Sequence, residues 1–205
     1  MMKKVHSILI IFLLILPCCR KSDENRNMLD VARKKYTFVN DFVNSFSEEK
    51  LIIVMNFINN PDKYFDAIKK IPRLFAYFEV LDRLAETDEK YDEMSFVSFL
   101  DNNFNEGKLT EKKVNILTFL LLNSKGYFGE ILADKYSKLF SKFTDVFISY
   151  LSKRSDWKRI VNLLGAGDWQ VFKTSAEKLG DSGFEGEFKR FVLAPIDKEG
   201  KRNIK

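Results

Sequence analysis

The side chains best suited to chemistry at neutral pH are confined to the first nineteen residues. The only histidine is His6, and the only cysteines are Cys18 and Cys19. Histidine is the usual general base near neutral pH and the commonest metal ligand. A chain cut ahead of Cys19 therefore has no Ser-His-Asp or Cys-His catalysis and no histidine zinc site. A phosphate-binding glycine loop is also missing. Gly165-Ala166-Gly167 starts like a dinucleotide fingerprint, but Gln170 stands where the third glycine belongs and no strand is expected before it. The expected role of these glycines is a helix C-cap and turn.

Carboxylate chemistry and binding remain. Glu79 lies within the apolar stretch Leu74–Leu81. Helical lytic transglycosylases act through one buried glutamate, usually followed by serine, and no glutamate here precedes a serine. Glu79 is expected on the solvated face of its helix. Asp88-Glu89 and Asp92-Glu93 lack the spacing and glycine of an EF-hand and read as a solvated loop. No metal, cofactor or catalytic residue is assigned, so the expectation is a binding protein and not an enzyme.

The strongest binding constellation is Lys153, Arg154, Trp157, Lys158 and Arg159, four cations around a tryptophan. It suits an anionic glycan, a lipid headgroup or a partner protein. Asp156-Trp157 recurs as Asp168-Trp169, each at an expected helix start, so core packing behind an aspartate cap competes for both tryptophans. Twenty phenylalanines could line an apolar ligand cavity, as in a lipid carrier, or simply fill a core.

The N-terminus carries an address. Met1–Lys4 supply positive charge, and Ile8–Leu16 is an unbroken apolar run of nine residues. As a helix that run covers roughly 14 Å, against a hydrocarbon core of about 30 Å, and is too short to span. Pro17 breaks it, and Arg20–Asn25 is polar. This is the layout of a secretory signal peptide.

Ile15-Leu16-Pro17-Cys18-Cys19-Arg20 also resembles a lipobox, the site that ends bacterial lipoprotein signal peptides, in its relaxed, spirochaete-type form. For Cys19, Leu16 fits the position three residues upstream and Cys18 is the small residue just before it. For the alternative, Cys18, Pro17 fits that preceding position poorly. The resemblance implies cleavage after residue 18, lipid on Cys19, and export to a bacterial membrane facing the periplasm or the cell surface. It covers about 20 residues and carries nothing about the rest of the chain.

Removing residues 1–18 takes away Lys3 and Lys4, leaving 32 Lys+Arg against 29 Asp+Glu, a net charge of +3. A charge that small does not mark a nucleic-acid binder. Residues 19–27 read as the lipidated cysteine and a polar tether, 28–193 as a single helical domain, and 194–205 as a basic, frayed tail.

The elements that must position these residues are helices. Apolar residues recur at helical spacing from Met28 to Phe46. Ser47 and Thr110 read as N-caps, and Asn60-Pro61 as a cap followed by a first-turn proline. Pro72 is expected to open another helix, Met94–Phe104 forms one more, and Leu132–Leu151 keeps one helical phase. Ser155 or Asp156 caps a helix ending at Gly165, Asp168 caps another, and Phe184–Val192 is the last. Sustained two-residue alternation is absent. The fold class expected is all-α, a multi-helix bundle or short α-solenoid-like array of about nine helices with no sheet. An echo at an offset of 58 residues, Phe38–Leu51 against Phe96–Leu109, hints at a duplicated unit.

Overall fold

A computed structural model describes residues 23–105, 107 and 109–194. The expected signal segment and tether up to residue 22, with Cys18 and Cys19, and the expected tail beyond Ala194 lie outside the described residues. Those described are all-helical, with no strand among them. Residues 23–35 form α1. Thirteen further helices follow instead of about nine in all: α2 Thr37–Ser45, α3 Glu48–Asn59, α4 Pro61–Ile68, α5 Leu74–Thr87, a 3-10 helix Glu89–Met94, α6 Phe96–Asn103, α7 Glu111–Asn123, α8 Gly126–Lys142, α9 Thr144–Ser152, α10 Trp157–Leu163, a 3-10 helix Leu164–Ala166, α11 Trp169–Glu177 and α12 Gly183–Leu193. The chain divides into two compact units, up to Phe99 and from Leu100.

Two of the extra helices come from breaks that no glycine or proline announces, and the two 3-10 helices add to them. Tyr36 is extended (φ −123°, ψ 112°) and separates α1 from α2. Its hydroxyl donates to Asp88 at 2.7 Å, 52 residues away, so the break has a tertiary partner. Phe143 (φ −128°, ψ 40°) divides the expected 132–151 stretch into α8 and α9. Once the first helix is split, its buried stripe becomes Asn25, Leu29 and Ala32, and Val31 turns outward at 47% exposure. Val97, expected on the core face, is likewise exposed, while Phe96, Phe99 and Leu100 are buried.

In the first unit, α3 is buried along most of its length and packs on α2, α4 and α5. Ser47 caps it through the Lys50 amide, and Asn60 caps α4 ahead of Pro61. Pro72 does not open α5. The helix begins at Leu74 behind Arg73, whose left-handed backbone (φ 54°, ψ 41°) turns the chain. Phe78 packs edge-on against Phe96 at 4.8 Å, and Phe57 lies 5.2 Å from Phe99. Fully buried phenylalanines therefore serve as core. A cavity lined by Leu29, Val39, Leu51, Met55, Leu84 and Tyr91 holds about 10 Å³, near the minimum for one water and far below an acyl chain.

In the second unit, α7 packs on α8, α9 and α10, while α8 also carries α11 and the Leu164–Ala166 turn. Phe140 is the hub, 4.4 Å from Phe172 and 5.6 Å from Phe188. Gly167 approaches the backbone of α8 closely: an added Cβ would lie 2.4 Å from the Ala133 carbonyl carbon. That close approach explains why a glycine stands at 167, with no phosphate needed.

The 58-residue echo is not reproduced in burial. Val39 is buried where Val97 is exposed, and Phe46 is 40% exposed where Phe104 is fully buried. Its later half also differs, because Leu51 is inside α3 whereas Leu109 precedes the Thr110 cap of α7. The echo does not mark two equivalent hairpins.

Candidate functional site

The segment from Lys153 to Arg159 joins α9 to α10, and its five candidate residues separate into two sets. Arg154 and Trp157 are built into the fold. The Arg154 guanidinium grips Asp156 through both carboxylate oxygens, at 2.7 Å each, and donates to the Tyr150 hydroxyl at 2.9 Å. Tyr150 in turn donates to Asn115 of α7 at 2.9 Å. The bidentate contact holds the Asp156 carboxyl below its ordinary range and raises the guanidinium above its own. Asp156 stands at the start of α10, but its side chain makes no capping bond. The neighbouring arginine takes the carboxylate instead. Asp168, with no such neighbour, does cap α11 through the Val171 amide at 3.2 Å.

Trp157 is buried to 7% exposure among Phe184, Phe188 and Phe191, with ring centroids 5.0–5.7 Å away. It is not an open stacking platform. Trp169 is half-buried and sits 5.3 Å from Phe172.

Lys153, Lys158 and Arg159 form the solvent-facing set. Lys153 reaches both Glu111 oxygens at 2.7 and 2.8 Å, and Ser149 donates to the same carboxylate at 2.6 Å. These contacts lower the Glu111 carboxyl from its ordinary value, the lysine bond being the larger cause. Lys158 pairs with Glu187 at 3.1 Å and stands 5.1 Å from the Trp157 ring. Arg159 is exposed. The two lysine pairs are exposed on both sides, at 62% and 42% for one and 48% and 52% for the other. Exposed pairs of this kind contribute little to stability, so an external anion can take the place of either carboxylate at small cost.

Glu79 projects from the exposed face of α5. Another acid, Asp82, lies one turn on. Asp82 is half-buried and accepts the Phe96 amide, capping α6 from another helix. Burial pushes its carboxyl up, the Phe96 bond opposes this, and Glu86 and Glu79 add smaller upward contributions. The sequence signal was an aspartate flanked by the buried Val80, Leu81, Leu84 and Ala85.

The acidic stretch is not a loose loop: Asp88 caps the 3-10 helix Glu89–Met94, which holds Glu89, Asp92 and Glu93. Asp88 accepts from Lys35 at 2.9 Å, from Tyr36 at 2.7 Å and from the Lys90 amide at 3.2 Å. The Lys35 and Tyr36 bonds bring its carboxyl down to about 2. Among the described residues no group of three or more His, Cys, Asp or Glu side chains is placed to hold a metal ion. No described helix is long and apolar enough to cross a membrane.

Comparison with protein families, curated proteins and solved structures gives no match.

Proposed function

We propose that this chain is an exported bacterial lipoprotein, anchored through lipid on Cys19, whose helical part binds or scaffolds at the cell envelope without turning over a substrate. The observation that carries the reading is the run from Met1 to Arg20: lysines, nine apolar residues, proline, paired cysteines and an abrupt polar switch. The absence of histidine after His6 and of cysteine after Cys19 supports a non-catalytic role. The exposed position of Glu79 on α5, outside any enclosed cleft, favours binding over lone-carboxylate hydrolysis. We read the helices as a bundle or short array that presents Lys153, Lys158 and Arg159 to an anionic partner, with Arg154 and Trp157 fixing the segment. The partner is an envelope protein, a glycan or a lipid headgroup, and no nucleic acid or cofactor is assigned.

The test is metabolic labelling with palmitate followed by detergent partition. The wild type is expected to label and to enter the detergent phase, and Cys19→Ala to lose both properties. Labelling that survives Cys19→Ala but not Cys18→Ala moves the anchor by one residue. Labelling lost in neither variant ends the lipoprotein reading.

A further inference from the structure

The described fold starts only four residues after Cys19. Helix is already present at residue 23, upstream of the expected start at Met28, and α1 is tied into the first unit along its length. The Asn25 amide donates to the Asn56 side chain of α3 at 2.9 Å, both residues being buried. Leu29 and Ala32 are buried at 1% and 0% exposure. The Met28 carbonyl accepts the Tyr91 hydroxyl at 3.3 Å, and Arg33 pairs with Glu48 at the start of α3. A four-residue connection reaches at most about 14 Å even when fully extended. A lipid on Cys19 would therefore hold the start of α1 within that distance of the bilayer.

The outward face of α1 fits that position. It carries Asp23, Glu24, Arg26, Asp30, Val31 and Lys34, all exposed. Of the four cations on this helix, Arg33 and Lys35 are paired with Glu48 and Asp88. Arg26 and Lys34 make no ion pair among the described residues. They flank Val31, an apolar side chain 47% exposed on an otherwise polar surface. Asp23, Glu24 and Asp30 offset Arg26 and Lys34, so mixed charges surround a protruding apolar residue, which matches a zwitterionic headgroup layer above acyl chains.

Resting on the lipoprotein reading, we infer that the outward face of α1 lies against the lipid surface holding the anchor, so that the first unit is pressed to the membrane. A flexible stalk would instead let it range through the envelope. The partner surface is a phospholipid headgroup layer, contacted through Arg26, Val31 and Lys34.

The chain after Cys19 has no other cysteine, so Val31→Cys gives one thiol for an environment-sensitive fluorophore on the full lipidated protein. Val31 is exposed, and a circular dichroism spectrum checks that the fold is kept. Lys70→Cys, exposed at the end of α4, is the reference site. Each labelled protein is reconstituted into vesicles of phosphatidylcholine and phosphatidylglycerol carrying a headgroup nitroxide lipid. The expected result is flotation with the vesicles and quenching at Val31 at least about twofold stronger than at Lys70, as direct headgroup contact requires. Twelve Gly-Ser residues inserted after Lys21 add ~20 Å of flexible reach and should reduce the Val31 quenching. Flotation with equal or weaker quenching at Val31, or quenching indifferent to the spacer, overturns the inference and leaves the anchor standing. Failure to float removes the anchor itself, and the inference falls with it.

Discussion

Replacing Gly167 by alanine adds a methyl group where α8 leaves no room. The new Cβ would lie 2.4 Å from the Ala133 carbonyl carbon, 2.6 Å from the Asp134 nitrogen and 2.7 Å from the Ala133 oxygen. Comfortable carbon–carbon contact needs about 3.5–4.0 Å, so the turn must retreat from α8 by roughly 1 Å or more. All three obstructing atoms are helix backbone, which cannot rotate away as a side chain can. Overpacking of this kind costs about 1–3 kcal/mol. For a chain of this size each kcal/mol lowers the thermal midpoint by about 2–4 °C, giving a fall of roughly 2–12 °C. Gly165 is the internal control. A Cβ there meets nothing within 4 Å, so Gly165→Ala should stabilise by about 0.4–1 kcal/mol through the unfolded chain. Thermal unfolding followed by far-UV circular dichroism measures both. Two glycines two residues apart should thus shift the midpoint in opposite directions. A Gly167→Ala protein that melts at or above the wild-type midpoint would refute the close approach and reopen a ligand-binding role for the pair.

Arg73 holds a left-handed backbone at a cost of about 1–2 kcal/mol, so Arg73→Gly should raise the urea midpoint by roughly 0.5–1 kcal/mol in stability. Asp88 gives a pH signature: its folded-state carboxyl, at about 2, lies below the ordinary unfolded value near 3.9. Its contribution is therefore complete above pH ~4 and is lost as the pH falls toward 2, so Asp88→Asn should flatten the stability profile across that window. Urea midpoints measured at intervals from neutral to acid pH check this. Arg154→Ala, which removes a bidentate contact and a link to Tyr150, should cost about 1–2 kcal/mol, while Lys153→Ala stays within ~0.5 kcal/mol. Equal losses in denaturant titration would contradict the division of that segment into a fixed part and an available part.

Local chemistry in the sequence marked several helix starts. Ser47, Thr110 and Asp168 cap where their types and positions imply, and Asn60-Pro61 opens α4, because each such signal acts within four residues. What escaped depends on distant partners. The break at Tyr36 involves Asp88, and the burial of Asn25 needs Asn56, neither of which periodicity can pair. The single phase assumed from Met28 to Phe46 consequently put Val31 inside when it lies outside. The cation cluster at 153–159 was visible as composition. Its counter-charges were not, since Glu111 lies 42 residues from Lys153 and Glu187 follows Lys158 by 29. Asp156 failed as a side-chain cap because Arg154, two residues earlier, competes for the same oxygens.

The seating of α1 also bears on the order in which the chain can take shape. This helix is made first, yet the Asn25 amide finds its partner only when Asn56 exists, and the Met28 carbonyl only when Tyr91 does, 63 residues later. At a synthesis rate of about 5–20 residues per second, that interval is roughly 3–13 s. An isolated helix of this length is marginal in water, so Leu29 and Ala32 spend that time on a largely unstructured segment. The first unit thus closes around its own beginning at the end of its synthesis.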